Sequence, residues 1–256
     1  MCYNHLMKIV IPELNNPIIK EAIKAFSEIE FVPASDLASA TKMVENNEVD
    51  SIISGIDYSS RNVLLACKDN ISLQSPFFSS CFICQKNNQV LALADGGVNK
   101  LPNSAQYYTI VEDTTKTFIK YTNEQPKIAL LSYSTHGSGG KNPDLEKIYA
   151  AKERITKEHP DWLIDGEIQL DVAINPDVAS KKTSDSPLKG AANILIVPDL
   201  NSGNILYKSL ERFGGFTCAG PIIQGFKKPL ADLSRGSTVA DVILTIKVIS
   251  KLLERN

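Results

Sequence analysis

In LADLSRGSTVADVI, residues 230–243, Arg235 stands between Ser234 and Gly236, and Asp241 follows six residues later. A guanidinium offers a planar fork that matches phosphate or carboxylate oxygens, which a lysine does not. Arginine is scarce here, at positions 61, 154, 212, 235 and 255 only. Two chemistries fit the segment. Thr238 and Asp241 have the spacing of a capping box, which would make it helix-start punctuation. Alternatively, a cation and a base flank one substrate. The residues alone leave both open.

A second candidate is STHGSGGK, residues 134–141. Backbone N–H groups with hydroxyls and a lysine ahead of a helix suit a phosphate, because unpaired amides and the helix dipole face the anion. Ser134, Thr135, Gly137 and Ser138 are the residues that would do this. The loop matches neither a Walker A motif nor GxGxxG, and a plain strand-to-helix turn is the competing reading. The segment PDLNSGNILYK (198–208) has the same form. Asn201, Gly203, Asn204 and Lys208 would face a ligand there, or else Asn204 is an N-cap and Lys208 a solvated charge. His136 and His159 stand apart from any Cys or carboxylate cluster. Cys81 and Cys84 form a CxxC inside an apolar run, read as buried free thiols because no second pair or nearby His completes a zinc site.

These loops need elements to hold them. KIVIPE (8–13), DSIISG (50–55), KIALLSY (127–133) and ANILIVPDL (192–200) read as buried strands. SSCFIC and QVLALAD, split by KNN, read as a hairpin, and 167–172 as a strand with one polar face. Helical spacing marks 15–29, 35–47, 104–121, Asn142-Pro143 to about 158, 204–213, and a last helix from about Thr238. Strands alternating with helices predict an α/β protein with a largely parallel sheet. In such folds ligands gather where strands end and helices begin, which is where all three candidate loops lie. The proline-bearing link NEQPK suggests a boundary, with domains at 1–125 plus 230–256 and at 126–229.

The chain has 256 residues and a net charge of -2 from 27 basic and 29 acidic side chains. No global basic field points to nucleic acid, and no apolar run is long enough to span a membrane. MCYNHLMKIVIPE lacks the apolar stretch of a signal peptide, so the cytoplasm is expected.

Four segments together, LSYSTHGSGGKNPDLEKI, DGEIQLDVAINPDVASKK, SPLKGAANILIVPDLNSGNILYK and GPIIQGFKKPLADLSRGSTVADV, resemble the phosphate acetyltransferase (phosphotransacetylase) and phosphate butyryltransferase family. IVIPE, SIISGI and QVLALADGGVN are weaker echoes upstream. The resemblance implies a two-domain fold like that of isocitrate and isopropylmalate dehydrogenases, with a shortened N-terminal domain and an interdomain cleft. It implies a homodimer and the reaction acetyl-CoA + phosphate ⇌ acetyl phosphate + CoA. Coenzyme A would be a co-substrate, with no tightly bound cofactor and no metal. Ser234 and Arg235 would contact the acyl phosphate and stabilise the transition state, and Asp241 would take the thiol proton. The chain departs from the family where arginines are expected: Ile18 or Lys20 is nearest to one, and Leu65 occupies the other, with Arg61 one turn earlier. Three alternatives go with it: transfer of propionyl or butyryl groups, a non-catalytic CoA-binding relative, and, on fold alone, a dehydrogenase.

Overall fold

The computed structural model describes residues 6–254. Cys2 and Arg255 lie outside them. In chain order the elements are β1 (Met7–Val10), α1 (Pro17–Ile23), β2 (Ile29–Val32), α2 (Leu37–Glu45), β3 (Ser51–Ser54) and α3 (Ser60–Asn70). The hairpin β4 (Ser79–Lys86) and β5 (Gln89–Ala94) follows, then α4 (Ser104–Thr122), β6 (Lys127–Leu131), α5 (Pro143–Glu158) and β7 (Leu163–Ile168). The chain continues with α6 (Leu170–Ile174), α7 (Pro176–Lys182), β8 (Ile194–Ile196), α8 (Leu200–Arg212), β9 (Thr217–Gln224), β10 (Leu230–Asp232) and α9 (Val239–Leu253).

The chain forms two compact units, one running to Phe78 and resuming at Thr217, the other spanning Ser79–Phe216. In the first, the strands lie in the order β2-β1-β3-β10-β9, parallel except that β9 runs against β10. In the second, the order is β4-β5-β8-β6-β7, parallel apart from the β4–β5 hairpin. The α/β class with mixed sheets agrees with the sequence reading. The boundary expected near residue 125 does not hold. Ala92, Leu93 and Ala94 of β5 pair with Ile194, Leu195 and Ile196 of β8, which commits the hairpin to the second unit. NEQPK is only a tight turn inside that unit: Asn123, at φ 58°, ends α4 in the left-handed conformation.

Most of the helices start at a capping side chain, α6 being without one. Asn16 precedes Pro17, Asp36 accepts from the Ser39 amide, and Asn103 with Gln106 forms a capping box on α4. Caps of this kind contribute about 1 kcal/mol each. Buried Ile9, Val10, Ile52 and Ile53 line the middle of the first sheet, and Ile128, Leu130, Ile194 and Ile196 that of the second. Strands buried on both faces read as continuous apolar runs, which is why these were legible.

Three local expectations fail. The stretch 167–172 is not a strand: β7 ends at Ile168 and α6 begins at Leu170. Helix α8 starts earlier than Asn204, because Asp199 accepts from the Ser202 amide at 2.9 Å and is the N-cap. Cys81 is a buried free thiol, whereas Cys84 is disulfide-bonded.

Candidate active site

In the first unit, β10 ends at Asp232, the chain turns through 233–237, and Thr238 caps α9. The turn is closed by its own hydrogen bonds. Ser234 N donates to Ser237 Oγ at 3.1 Å, Ser237 N to the Ser234 carbonyl at 2.9 Å, and Gly236 N to Ser234 Oγ at 3.2 Å. The Ser234 hydroxyl therefore accepts one bond, and its own hydrogen has no acceptor among the described residues. Arg235 is exposed and pairs with no carboxylate among them.

Asp241 completes the capping box. Its Oδ2 accepts from Thr238 N at 2.8 Å and from Thr238 Oγ1 at 2.7 Å. Its Oδ1 accepts from Cys218 N at 3.2 Å. An ionised carboxylate has about four lone-pair sites. Oδ2 is saturated, and one site on Oδ1 remains. The two readings of this segment therefore do not compete: one oxygen starts the helix and the other can still take a proton.

The second unit holds the remaining candidates. In the loop after β6, Ser134 and Thr135 are buried, and His136, Gly137 and Gly140 have φ of 47°, 86° and 71°. Its amides are already spent. Gly137 N donates to Glu167 Oε1 at 2.7 Å, Gly139 N to Ser134 Oγ at 2.7 Å, and Thr135 N to Ser138 Oγ at 3.0 Å. Ser134 Oγ donates to the same Glu167 oxygen at 2.7 Å. The loop does hold an anion, but the anion is the buried Glu167 carboxylate of this chain. Burial pushes Glu167 up, yet the hydrogen bonds from Tyr149, Ser134 and Gly137 outweigh it and hold the group below the usual carboxylate range. The expectation that the free loop amides await a phosphate is corrected on that ground. The polar face at Glu167, Gln169 and Asp171 is the available signal in the sequence.

Next to this loop, His136, Tyr149, Lys152 and Glu153 help line an open cavity of about 610 Å³. Lys152 Nζ is committed to the buried Asp165 at 2.8 Å, and His136 Nε2 also reaches it at 3.1 Å. Burial pushes Asp165 up, but hydrogen bonds from Lys152, Ser186 and His136 overcome it and lower it. The wall gathers no spare cations for a phosphate.

Asn201, Gly203, Asn204 and Lys208 lie on the first three turns of α8 rather than in a loop. Asn204 Nδ2 donates to the Gly96 carbonyl at 3.3 Å. Gly203 is there for close approach, since a Cβ would fall 2.4 Å from the Asp95 carbonyl oxygen and 2.8 Å from Gly96 Cα. Asn201 and Lys208 are exposed, with Lys208 Nζ 4.7 Å from the centre of the Tyr207 ring. Where arginines were expected, Lys20 and Leu65 are exposed and Ile18 is half-buried, while Arg61 is exposed on the first turn of α3. No group of His, Cys, Asp and Glu among the described residues could hold a metal ion.

A family model described as phosphate acetyl/butaryl transferase matches residues 8–249. The chain belongs to this family. A phosphate acetyltransferase of Corynebacterium glutamicum is 32% identical over 252 residues, covering 93% of this chain and 76% of that protein. One from Buchnera aphidicola subsp. Schizaphis graminum is 40% identical over 213 residues, covering 82% of this chain. The chain spans only 30% of that relative's length. Among solved structures, a phosphotransacetylase from Streptococcus pyogenes superposes with a TM-score of 0.83 at 28% identity, covering 96% of this chain and 94% of that one. A 4-hydroxythreonine-4-phosphate dehydrogenase from Klebsiella pneumoniae, at 10% identity and a TM-score of 0.55, shares the fold alone. No described helix of this family member is long and apolar enough to cross a membrane.

Proposed function

We propose that the protein is a phosphate acetyltransferase, converting acetyl-CoA and phosphate reversibly to acetyl phosphate and CoA. The observation that carries this reading is the state of the 234–241 segment. It presents an unspent hydroxyl hydrogen on Ser234, an unpaired guanidinium on Arg235 and one unspent lone pair on Asp241 Oδ1. Membership of the family supports it.

In the direction of acetyl-CoA, the CoA thiol gives its proton to Asp241 Oδ1 and the sulfur attacks the acetyl carbonyl carbon. A carbon–sulfur bond forms, the carbon–oxygen bond to phosphate breaks, and phosphate leaves with the electron pair. An ordinary thiol, with a pKa of about 8.5, is only a few per cent thiolate at neutral pH, so a positioned base contributes about 10²–10⁴-fold. Negative charge grows on the carbonyl oxygen and the departing phosphate. Ser234 and Arg235 stabilise it as fixed donors, each worth about 3 kcal/mol by analogy with an oxyanion hole.

CoA is a co-substrate in this reading, the acting form is a homodimer and the compartment is the cytoplasm. The test is release of the CoA thiol from acetyl-CoA, with and without phosphate, followed by a thiol reagent. Phosphate-dependent release is the expected result, and a propionyl- and butyryl-CoA series then defines the acyl group. Folded protein that binds CoA but releases none would overturn the enzyme in favour of a CoA-binding relative.

A further inference from the structure

Two residues before Ser234, at the last position of β10, Asp232 is only 1% exposed. Three other segments meet it. Glu13 follows β1, Ser54 ends β3 with Gly55 next to it, and Ser60 opens α3. Asp232 lies opposite Ser54 in the β3–β10 register. Gly55, at φ 112°, is held between two carboxyl groups. Its N–H donates to Glu13 Oε1 at 2.9 Å, while a Cβ on it would fall 2.3 Å from Asp232 Oδ1.

The two acids are not equivalent. Glu13 accepts three bonds, from Gly55 N, from Asp57 N at 3.3 Å and from Ser54 Oγ at 2.8 Å. Asp232 has a hydrogen bond with the Ser60 hydroxyl, and its Oδ1 is buried with no partner. A buried carboxylate with a donorless oxygen, next to a second carboxylate, is a costly state. A protonated carboxyl relieves it, giving its hydrogen to Ser60 and leaving Oδ1 as a carbonyl oxygen.

We propose that Asp232, packed on Gly55 and hydrogen-bonded to Ser60, is a positioning residue for the Ser234–Arg235 turn and acts as a neutral acid. The inference rests on the transferase reading above. Leu233 N donates to the Ser54 carbonyl, and a Cβ on Gly55 would fall 2.6 Å from the Leu233 carbonyl oxygen. The end of β10 is thus locked onto the end of β3, and the turn that carries Ser234 and Arg235 is aimed from that anchor. Burial pushes Asp232 up to about 7, with the Ser60 hydrogen bond working against this and the charge of Glu13 adding to it. Ionising Asp232 places a second charge beside Glu13 with only the Ser60 hydroxyl to receive it and none for Oδ1, and the relief is movement away from Gly55. The other groups facing this site do not interfere. Cys67 of α3 is pushed up to about 12 by burial and by Asp232, Asp57 and Arg61 are exposed, and Asp241 of α9 is engaged by Thr238 and Cys218.

The experiment measures kcat and KM for phosphate-dependent CoA release from about pH 5.5 to about pH 9 in wild type, Asp232→Asn and Asp232→Ala, with near-UV circular dichroism and thermal unfolding as checks. Wild-type kcat is expected to fall up to about tenfold per pH unit above a midpoint near 7. The isosteric, uncharged Asp232→Asn keeps kcat at the acid end within about threefold and lacks that limb, whereas Asp232→Ala lowers kcat at every pH with little change in KM. An alkaline limb that persists in Asp232→Asn overturns the proposal, as does an Asn variant no better than the Ala variant. No release by wild type would sink the transferase reading, and thermal unfolding then decides on the acid. The native pKa of about 7 lies above the ordinary 3.8, so wild type loses stability relative to Asp232→Asn as pH rises from the lower value to the upper one and is level beyond it. Parallel thermal profiles would overturn the neutral acid.

Discussion

Asp241→Asn separates the two jobs that the capping box and the base share. The Asn amide oxygen can replace Oδ2 and keep accepting from Thr238 N, now 2.8 Å away. Its NH₂ group then faces Cys218 N, which at present donates to Oδ1 at 3.2 Å. Two donors confront each other, and an N–H left unsatisfied costs about 1–3 kcal/mol. Losing the negative charge on the first turn of α9 costs about 0.3–1 kcal/mol more. A total near 2 kcal/mol lowers the thermal midpoint by about 4–8 °C for a chain of this size. Turnover should fall much further, by about 10²–10⁴-fold, because the thiol loses its base. Thr238→Ala is the control. It removes the cap, at about 1 kcal/mol, but leaves the carboxylate in place, so turnover should change by about threefold or less. The thiol-release assay and a thermal melt on both variants decide the matter. If Asp241→Asn melts lower as expected yet turns over within about threefold of wild type, Asp241 is a cap and nothing more. Equal losses of turnover in both variants would assign the effect to the start of α9 instead.

Arg235→Ala should lower kcat about 10²–10³-fold, and Arg235→Lys should recover only part of it, since an ammonium lacks the planar fork; a steady-state comparison of the two reads this directly. Gly203→Ala should lower the thermal midpoint, because its Cβ would fall 2.4 Å from the Asp95 carbonyl oxygen, a backbone contact that cannot swing away, at a cost of about 1–3 kcal/mol. Glu167 is held below the ordinary value of 4.5, so its contribution is present above that value and is lost as pH falls through the lower folded-state pKa. Limited proteolysis should therefore cut the 136–141 loop of wild type only in acid, and that of Glu167→Gln at neutral pH as well. A protected loop in the Gln variant would contradict the role given to the charge.

The α/β class, the buried strands β1, β3, β6 and β8, the start of α5 at Asn142-Pro143 and the start of α9 at Thr238 were all legible in the sequence. These signals are local, since continuous apolar runs, side-chain caps and helical spacing are written in neighbouring residues. The strands β2, β9 and β10 do not stand out in the sequence: β2 and β10 lie in stretches with no sustained apolar run, and Gly220-Pro221 inside the eight-residue β9 reads as a turn. The family motifs carried the SRG turn and Asp241, but no spacing says which carboxylate oxygen is already spent.

What only the tertiary structure decided are the relations between residues far apart in the chain. Glu167 fills the loop at 134–139 from 30 or so positions away, the β5–β8 pairing moves the unit boundary to Phe78, and Gly55 brings Glu13 and Asp232 together. Whether an amide is free, a lone pair unspent or an acid neutral depends on which group the fold packs against it. One sequence read along its own length holds the inventory of donors and acceptors, and the packing of distant segments decides which of them remain for a substrate.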